Sequence, residues 1–360
     1  MTGSRPNRPD LGSRSHALGR GLPAQAQPQQ SPLVRAAFIE SFGPAEVISV
    51  GEITSPQPGP TDVLVDVEVT TVNPVDTFVR SGLFPTPAVF PLVISRDLAG
   101  TVRAVGPGVT GFAVGDRVWC NSLGHGGRQG AAAERVVVAA DRLYRLPTGV
   151  DMVDAVAVVH PAATAYLALF RHGRIQAGDT VLVAGAAGNV GAALVVLAEQ
   201  AGARVLATAR ERDFDYCRSL GAAEVLDYRD PLLAESIRRL SPRGVDLFLD
   251  TSGENDLVTA VGVLAHRGRI VLLAGARTCP VLPAGALYMK DGTIAGFVIS
   301  HATVAELAQA AEHINRLLPT GRLRSRVVEE LPLASAADVH RRLENGELHG
   351  RRTVLHVRAD

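Results

Sequence analysis

The sequence is poor in lysine and cysteine. Lys290 is the only lysine, so arginine supplies nearly all of the positive charge. The three cysteines, Cys120, Cys217 and Cys279, are far apart in sequence, a spacing that does not indicate a disulfide framework or a Cys-x-x-Cys metal knuckle. Sparse cysteine usage is typical of a reducing compartment, so we expect a cytoplasmic location.

The chain also has no net charge. The 36 basic residues are balanced by 36 acidic residues, so no overall field attracts nucleic acid or an anionic membrane. The chain contains no run of about 18 consecutive apolar residues, the length that crosses a bilayer. We therefore expect a small-molecule partner and neither a nucleic-acid nor a membrane partner.

Large apolar side chains are scarce in residues 1–32, which are rich in Pro, Gly, Arg, Ser and Gln. A segment of this composition cannot bury enough surface to offset the entropy lost on folding. It also lacks the apolar stretch of a secretory signal. The composition predicts a disordered tail.

The remaining residues suffice for about two domains with substantial cores. Residues 33–147 contain short β-branched runs divided by glycines, which predict a barrel-like β domain. From residue 151, apolar strands alternate with helical segments, which predicts βαβ units and a doubly wound parallel sheet. We assign residues 33–155 to the β-rich domain, 156–298 to an inserted nucleotide-binding domain and 299–360 to the second part of the β-rich domain, an α/β fold overall.

Residues 181–191, VLVAGAAGNVG, end a buried strand in a glycine loop. The spacing of Gly185, Gly188 and Gly191 is G-x-x-G-x-x-G, one residue longer than the usual dinucleotide fingerprint. An Ala-rich helix follows, and its free N–H groups and dipole suit a pyrophosphate. The loop thus predicts a nicotinamide dinucleotide, with a ligand-free glycine turn as the alternative.

The end of the next strand indicates which dinucleotide binds. NAD sites usually place an acid there for the ribose 2′-OH, whereas NADP sites use arginine. Here Ala209 stands where the acid is expected, and Arg210 and Arg212 flank Glu211. Two guanidinium groups suit a 2′-phosphate, so we predict NADPH. The alternatives are that both arginines are surface charges and that Glu211 binds the ribose.

Several ordered motifs give the chain a family resemblance. They include TTVNPVDTFVRSGLFP (70–85), ISRDLAGTVRAVGPGVTGFAVGDRV (94–118), GDTVLVAGAAGNVG (178–191) and DLFLDTSG (246–253). From about residue 33 to the C-terminus, the chain resembles the medium-chain dehydrogenase/reductase superfamily, in its zinc-free NADPH:quinone oxidoreductase (zeta-crystallin-like) branch. The resemblance implies a GroES-like catalytic domain split around a Rossmann domain, a cofactor cleft and, usually, a homodimer.

The resemblance also implies which residues contact NADPH. These residues fall in three regions: the end of the glycine loop, the region of the 2′-phosphate and the nicotinamide side. The expected contacts are Asn73, Thr164, Ala187, Gly188, Asn189, Val190, Gly191, Arg210, Arg212, Tyr228, Ser252, Gly253, Gly275, Phe297, Val298 and Ile299. Thr164 has packing on a buried helix as its alternative role.

A metal site is not expected. Zinc-dependent relatives need thiolate and imidazole ligands, but the equivalent positions here are Asn73 and Ser95-Arg96-Asp97. The four-cysteine lobe of a structural zinc is missing as well. Hydride transfer would then depend on proximity and a hydrogen bond to the acceptor carbonyl. Asn73 is the candidate donor for that bond, with capping of the turn before Pro74 as an equal alternative.

Three departures from the family pattern affect the prediction. Phe78 replaces a tyrosine that is a proposed proton donor in enoyl-thioester reductases. Asn189 replaces a glycine, and asparagine tolerates left-handed backbone geometry. His160 is unusual before TAYLAL and is either a pH-sensitive substrate contact or, more simply, a buried structural histidine.

These observations predict an NADPH-dependent reductase of quinones or α,β-unsaturated carbonyls. Two alternatives remain open. One is a biosynthetic enoyl or ketone reductase of a natural-product pathway; Phe78, which has no hydroxyl to donate a proton, disfavours enoyl reduction. The other is an NADPH-binding sensor or structural protein with little turnover.

Overall fold

A computed structural model describes residues 2–3 and 32–358 of the chain. Two compact units divide the chain, residues 1–31 and 32–360, and the following description concerns the second. The predicted disordered tail, residues 1–32, lies almost entirely outside the described residues.

The described elements comprise sixteen strands and nine α-helices. The strands are β1 (Leu33–Ile39), β2 (Ser49–Thr54), β3 (Asp62–Thr71), β4 (Leu92–Val93), β5 (Leu98–Val105), β6 (Arg117–Cys120), β7 (Arg135–Ala139), β8 (Tyr144–Arg145), β9 (Thr180–Ala184), β10 (Arg204–Ala209), β11 (Glu224–Asp227), β12 (Val245–Asp250), β13 (Leu264–Leu272), β14 (Thr293–Gly296), β15 (Val328–Pro332) and β16 (Arg352–His356). The helices are α1 (Pro74–Ser81), α2 (Met152–Tyr166), α3 (Asn189–Gln200), α4 (Phe214–Ser219), α5 (Leu233–Leu240), α6 (Leu257–Val263), α7 (Ala284–Tyr288), α8 (Val304–Leu317) and α9 (Ala336–Glu344).

The inserted domain is built on a six-stranded sheet in the order β11-β10-β9-β12-β13-β14. All five strand pairs are parallel, because helical crossovers return the chain to the same end of the sheet. The order reverses between β9 and β12, and ligands of such sheets bind at the carboxyl ends of the strands near the reversal. The predicted doubly wound parallel sheet is confirmed.

The β-rich domain contains a seven-stranded sheet and a three-stranded sheet. Its central strand β3 pairs with β5, β7 and the last strand of the chain, β16. The pairing of β16 with β3 returns the C-terminal segment to the sheet formed by the first part of the chain. The GroES-like domain is therefore split around the Rossmann domain, as the resemblance implied.

Helix α2 is a core element that packs against strands β3, β5 and β16 of the β-rich domain and against helix α3 of the inserted domain. With the π-helical turn Leu167–His172 it forms 21 helical residues that, by length and apolar composition, would suffice to cross a membrane. However, 72% of this apolar window is buried inside the protein. Burial of this kind is what a core helix shows, and the polar Asp154 and His160 interrupt its apolar sequence.

The element boundaries depart from the sequence pattern in a few places. Strand β14 and the short helix α7 were not predicted, because their apolar residues show no clear period. A 3-10 turn at 211–213 leads into α4. Asp230 accepts a hydrogen bond from the Leu232 N–H at 2.8 Å, in a turn just before α5 begins at Leu233.

Candidate active site

The glycine loop connects β9 to α3 in a tight, closely packed turn. Gly185 has a φ of +81°, and a Cβ on Gly191 would lie 2.2 Å from the Gly185 carbonyl oxygen. No side chain fits at either position without strain. The Ala186 N–H donates to the Thr208 carbonyl at 3.0 Å, which ties the loop to the end of β10. This geometry leaves the backbone of Ala187 and Gly188 at the mouth of α3.

Asn189 is the first residue of α3, and its backbone is right-handed helical. The left-handed tolerance of asparagine is therefore not needed here. Its side-chain amide instead donates to the Arg351 carbonyl at 3.1 Å. The C-terminal segment thus contacts the glycine loop, a link that sequence spacing did not reveal. Val190 follows within the first helical turn.

Arg210 and Tyr228 form a pair beside the loop. The Arg210 Nε donates to the Tyr228 hydroxyl at 3.2 Å, because the parallel register of β10 and β11 aligns the two strand ends. Arg212 is 70% exposed and lies 3.8 Å from the Asp213 carboxylate. Glu211 is exposed. All the groups considered for the ribose end of the cofactor therefore face solvent at one edge of the sheet.

The carboxyl ends of β12 and β13 supply the next predicted contacts. Ser252 donates from its hydroxyl and its N–H to the Asp250 carboxylate, at 2.6 and 2.8 Å. Gly253 and Gly275 both have positive φ, and a Cβ on Gly253 would lie 3.6 Å from the Gly275 nitrogen. The two turns are thus neighbours and form a small-residue surface beyond the central strands.

The segment predicted to pass the nicotinamide side follows β14. The Phe297 ring stacks on His172 with centroids 4.3 Å apart, Val298 is 39% exposed and Ile299 is buried. Thr164, on α2, donates its hydroxyl to the His160 carbonyl at 3.0 Å. In this arrangement the Thr164 hydroxyl makes an intrahelical bond, which fits its alternative packing role.

Asn73 caps α1 within a buried polar network. Its side-chain amide donates to Asp97 at 2.7 Å and to Asp76 at 3.4 Å, and its oxygen accepts from Arg352 at 3.0 Å. The Asn73 backbone N–H also donates to Asp76 at 2.7 Å. Both amide hydrogens are therefore engaged, and a substrate carbonyl would have to displace the longer bond to Asp76.

Asp97 is the centre of this network. Its Oδ1 accepts from the His160 Nδ1 at 3.0 Å, and its Oδ2 accepts from Thr71 at 2.9 Å as well as from Asn73. Burial by itself raises the pKa of Asp97, but His160, Arg352 and the hydrogen bonds outweigh it and hold the pKa below its ordinary value. Asp97 is thus a fully buried carboxylate that four neighbours keep ionised.

Asp76 behaves differently, although it is equally enclosed. Burial raises its pKa to about 6, while Arg96, whose Nε lies 3.6 Å away, lowers it only in part. Arg96 also donates from Nη1 to the Ser300 hydroxyl at 2.8 Å. The Arg96 side chain therefore connects the capping carboxylate of α1 to the segment after β14.

The donor chemistry at these positions does not fit zinc. A guanidinium stands at Arg96, the Asn73 amide is fully bonded, and Asp97 and His160 are bonded to each other. Burial raises the pKa of the nearby Cys120 thiol to about 11, so it remains protonated. Zinc requires thiolate, imidazole and carboxylate lone pairs that converge on one point. Among residues 32–358, no group of three or more His, Cys, Asp and Glu is arranged for a metal.

Several residues of this network escaped sequence reasoning. Asp97 was seen only as part of a missing metal motif, and Arg352 lies 279 positions from Asn73. The available signals were weak: a histidine inside an apolar helix and an arginine at the start of an apolar strand. Both are unusual because charged or polar groups are seldom buried without a partner.

Comparisons with known proteins agree with this architecture. Residues 59–148 match the family model "Alcohol dehydrogenase GroES-like domain", and residues 189–316 match "Zinc-binding dehydrogenase". A human quinone oxidoreductase is 30% identical over 317 residues, which are 87% of this chain and 95% of that relative.

Two further similarities concern a solved structure and a larger enzyme. A mycobacterial protein solved in complex with NADPH has a TM-score of 0.78 and 29% identity, covering 90% of this chain and 99% of that one. A phthioceranic/hydroxyphthioceranic acid synthase of Mycobacterium bovis is 31% identical over 326 residues, 89% of this chain but 15% of the synthase. The similarity thus extends over nearly all of the described chain.

Proposed function

The chain belongs to the quinone oxidoreductase-like medium-chain dehydrogenases/reductases, and on this basis we propose that it is a zinc-independent, NADPH-dependent reductase of quinones or α,β-unsaturated carbonyls. Membership makes it a nicotinamide-nucleotide-dependent oxidoreductase with a small-molecule substrate. The choice of NADPH, the acceptor class and the independence from zinc are our proposals.

The observation that supports cofactor binding most strongly is the glycine loop at the start of α3. Ala187, Asn189, Val190 and Gly191 present backbone N–H groups at a helix N-terminus, where the dipole favours a pyrophosphate. Gly188 lies among them, and its own N–H donates to the Gly185 carbonyl at 3.1 Å. We assign the nicotinamide end of the cofactor to the small-residue turns after β12 and β13 and to the segment after β14. The residues assigned there are Ser252, Gly253, Gly275, Phe297, Val298, Ile299, Thr164 and Asn73.

The preference for NADPH is supported by Arg210, Arg212 and Tyr228. The Arg210–Tyr228 bond pre-orients one guanidinium at the end of β10, and Arg212 is exposed beside it. A 2′-phosphate can accept charge-assisted bonds from both arginines and from the phenol. A bare ribose hydroxyl would offer these arginines no negative charge, and Arg212 would keep only its 3.8 Å contact with Asp213.

Bound NADPH would supply the hydride, and the protein would position the reactants and polarise the acceptor carbonyl. Asn73 orients the reacting end of the site through its bonds to Asp97 and Asp76. Phe78 has no ionisable hydrogen, so it cannot protonate the reduced acceptor. Quinones and reactive enones suit such a site because water can protonate the products.

A biosynthetic enoyl reductase is the second candidate, supported by the similarity to part of the Mycobacterium bovis synthase. Phe78 argues against it, since enoyl thioesters yield a carbon acid that benefits from a positioned proton donor. The experiment that separates the two is a comparison of quinones, enones and enoyl thioesters as acceptors of NADPH. Oxidation of NADPH by quinones or enones supports the proposal, whereas turnover of enoyl thioesters alone contradicts it.

We also propose a homodimer that forms through the edge of the parallel sheet. Strand β14 is the last strand on its side of the sheet, and Val281, Tyr288 and Met289, in the segment that precedes it, are each more than 70% exposed. A cluster of exposed apolar side chains next to an unpaired strand edge is typical of a subunit interface. Light scattering of the wild type and of the Tyr288→Glu variant tests this proposal, because a dimer at this edge should become a monomer.

A further inference from the structure

A cavity of about 180 Å³ lies beside the segment after β14. Its walls come from residues 84–86, residue 122, residues 124–126 and residues 299–301, and Arg96 and Arg142 also line it. None of its lining residues belongs to the glycine loop or to the Arg210 region. The cavity is therefore separate from the proposed pyrophosphate and 2′-phosphate seats but adjoins Ile299, at the nicotinamide side.

The electrostatic character of this cavity is positive. No aspartate or glutamate lines it. Arg142 is half-buried, and in residues 32–358 no carboxylate comes within ion-pair distance of its guanidinium. Arg96 has one carboxylate neighbour, Asp76, but at 3.6 Å and with a pKa raised to about 6 by burial. Arg96 thus has one carboxylate partner, Asp76, and Arg142 has none among residues 32–358.

The other polar groups of the cavity do not change this balance. The His125 Nδ1 lies 2.9 Å from the Ser122 carbonyl oxygen, and burial together with Arg142 lowers the pKa of His125 below its ordinary value, which favours the uncharged ring. The Ser300 hydroxyl accepts a hydrogen bond from Arg96, and the His301 ring packs against the Phe84 ring in a tilted arrangement. These groups provide hydrogen bonds without adding negative charge.

A half-buried, unpaired guanidinium carries a desolvation cost that an anion can offset. An acceptor that contains only hydrocarbon and carbonyl groups would be expected to bind in a pocket lined by apolar side chains. Resting on the proposed function, we infer that the physiological acceptor carries a carboxylate, which Arg142 binds while the reducible double bond lies toward Ile299. Guanidinium suits a carboxylate because its planar fork donates two parallel hydrogen bonds.

A matched pair of acceptors tests this inference: β-acetylacrylate and its methyl ester. In each, the carbon–carbon double bond gains a hydride from NADPH and a proton from water, and NADP⁺ is released. The ester is chemically the more electrophilic, so a preference for the acid reports binding of the charge. We expect wild-type kcat/KM for the acid to exceed that for the ester by about 10-fold or more, the size of one charge-assisted hydrogen bond.

Two variants make the test specific. Arg142→Gln should lower the acid-to-ester ratio by about 10-fold or more. Arg103→Gln removes the same charge from β5, where the side chain is 57% exposed and outside the cavity, and should leave the ratio unchanged. An ester preference in the wild type, or an equal ratio in wild type and Arg142→Gln, would overturn the inference.

Failure of the proposed function is distinguished by a binding measurement. Levulinate, the saturated product of the acid, is titrated calorimetrically into the protein with NADPH. Binding by the wild type and by Arg103→Gln, but not by Arg142→Gln, supports the carboxylate site even if neither acceptor is reduced. Absence of levulinate binding to the wild type contradicts the site, whatever the reductase activity.

Discussion

The imidazole of His160 donates from Nδ1 to the Asp97 carboxylate at 3.0 Å, and the two side chains are 8% and 0% exposed. The pair joins α2 to the residue that precedes β5 and therefore links α2 to the polar network around Asp97. Of the two roles considered for His160, this contact favours the buried structural one. Its absence would leave a buried carboxylate with fewer donors.

Replacing His160 by leucine should therefore destabilise the fold by about 1–3 kcal/mol, the cost of removing one partner of a buried charged group. Urea unfolding at pH 7 measures the change. The matched control is His356→Leu, which removes an imidazole from a pair with Glu330 that is about half exposed. Exposed pairs contribute about 0–1 kcal/mol, so equal losses in both variants would contradict the role assigned to the buried pair.

The raised pKa of Asp76 predicts a pH dependence of stability. Its pKa is about 6 in the folded protein, against an ordinary value of 3.8 for an aspartate exposed to water, so the folded protein holds this proton more tightly than the unfolded chain. Stability is therefore lost as pH rises from about 4 through about 6. Relative to wild type, Asp76→Asn should gain roughly 1–2 kcal/mol in unfolding free energy between pH 5 and pH 8.

Urea unfolding of both proteins at the two pH values checks this prediction. Asp154→Asn serves as the control, because Asp154 also lies in the first turn of a helix but is exposed. The control should show no such gain. A parallel stability curve for Asp76→Asn and wild type would show that Asp76 is ionised throughout.

Substitution of Arg210 should alter cofactor choice. Arg210→Ala removes the guanidinium that Tyr228 orients, so KM for NADPH should rise about 10- to 100-fold, as for a lost charge-assisted bond. KM for NADH should change little. Arg218→Ala, which removes an exposed arginine from α4, is the control, and an equal effect on both nucleotides would refute a 2′-phosphate contact.

The glycine loop allows a steric test. A Cβ at position 191 would lie 2.2 Å from the Gly185 oxygen and 2.8 Å from the Ala186 Cα, so Gly191→Ala must displace the loop. We expect a loss of about 1–3 kcal/mol in stability and weaker NADPH binding, measured by nucleotide fluorescence. Gly285→Ala has no atom within 4 Å of the new methyl group and should keep both properties.

Asn73 offers a way to separate binding from turnover. Asn73→Ala removes bonds to Asp97, Asp76 and Arg352 together, and should reduce both stability and kcat. Asn73→Asp keeps an acceptor for Arg352 but places a third carboxylate next to Asp97 and Asp76. If Asn73 only caps α1, kcat per folded molecule should be unchanged in both variants, and if it polarises the acceptor, kcat should fall in both.

Local patterns were sufficient to predict the architecture. The strand–loop–helix unit at Gly185 and the alternation of strands and helices depend on near neighbours in sequence, and both are present. The buried network was not predictable in this way, because Asn73, Asp97, His160 and Arg352 meet only after β16 pairs with β3. Long-range contacts of this kind leave no periodic signal, and the cavity at Arg142 has the same origin.

The most direct test of the proposed activity is steady-state oxidation of NADPH and of NADH by the purified protein with a quinone acceptor, in the presence of a zinc chelator. We predict kcat/KM for NADPH at least about 10-fold above that for NADH, since one charge-assisted bond supplies that factor, and no effect of the chelator. A preference for NADH, or activity that the chelator abolishes and added zinc restores, would contradict the proposal.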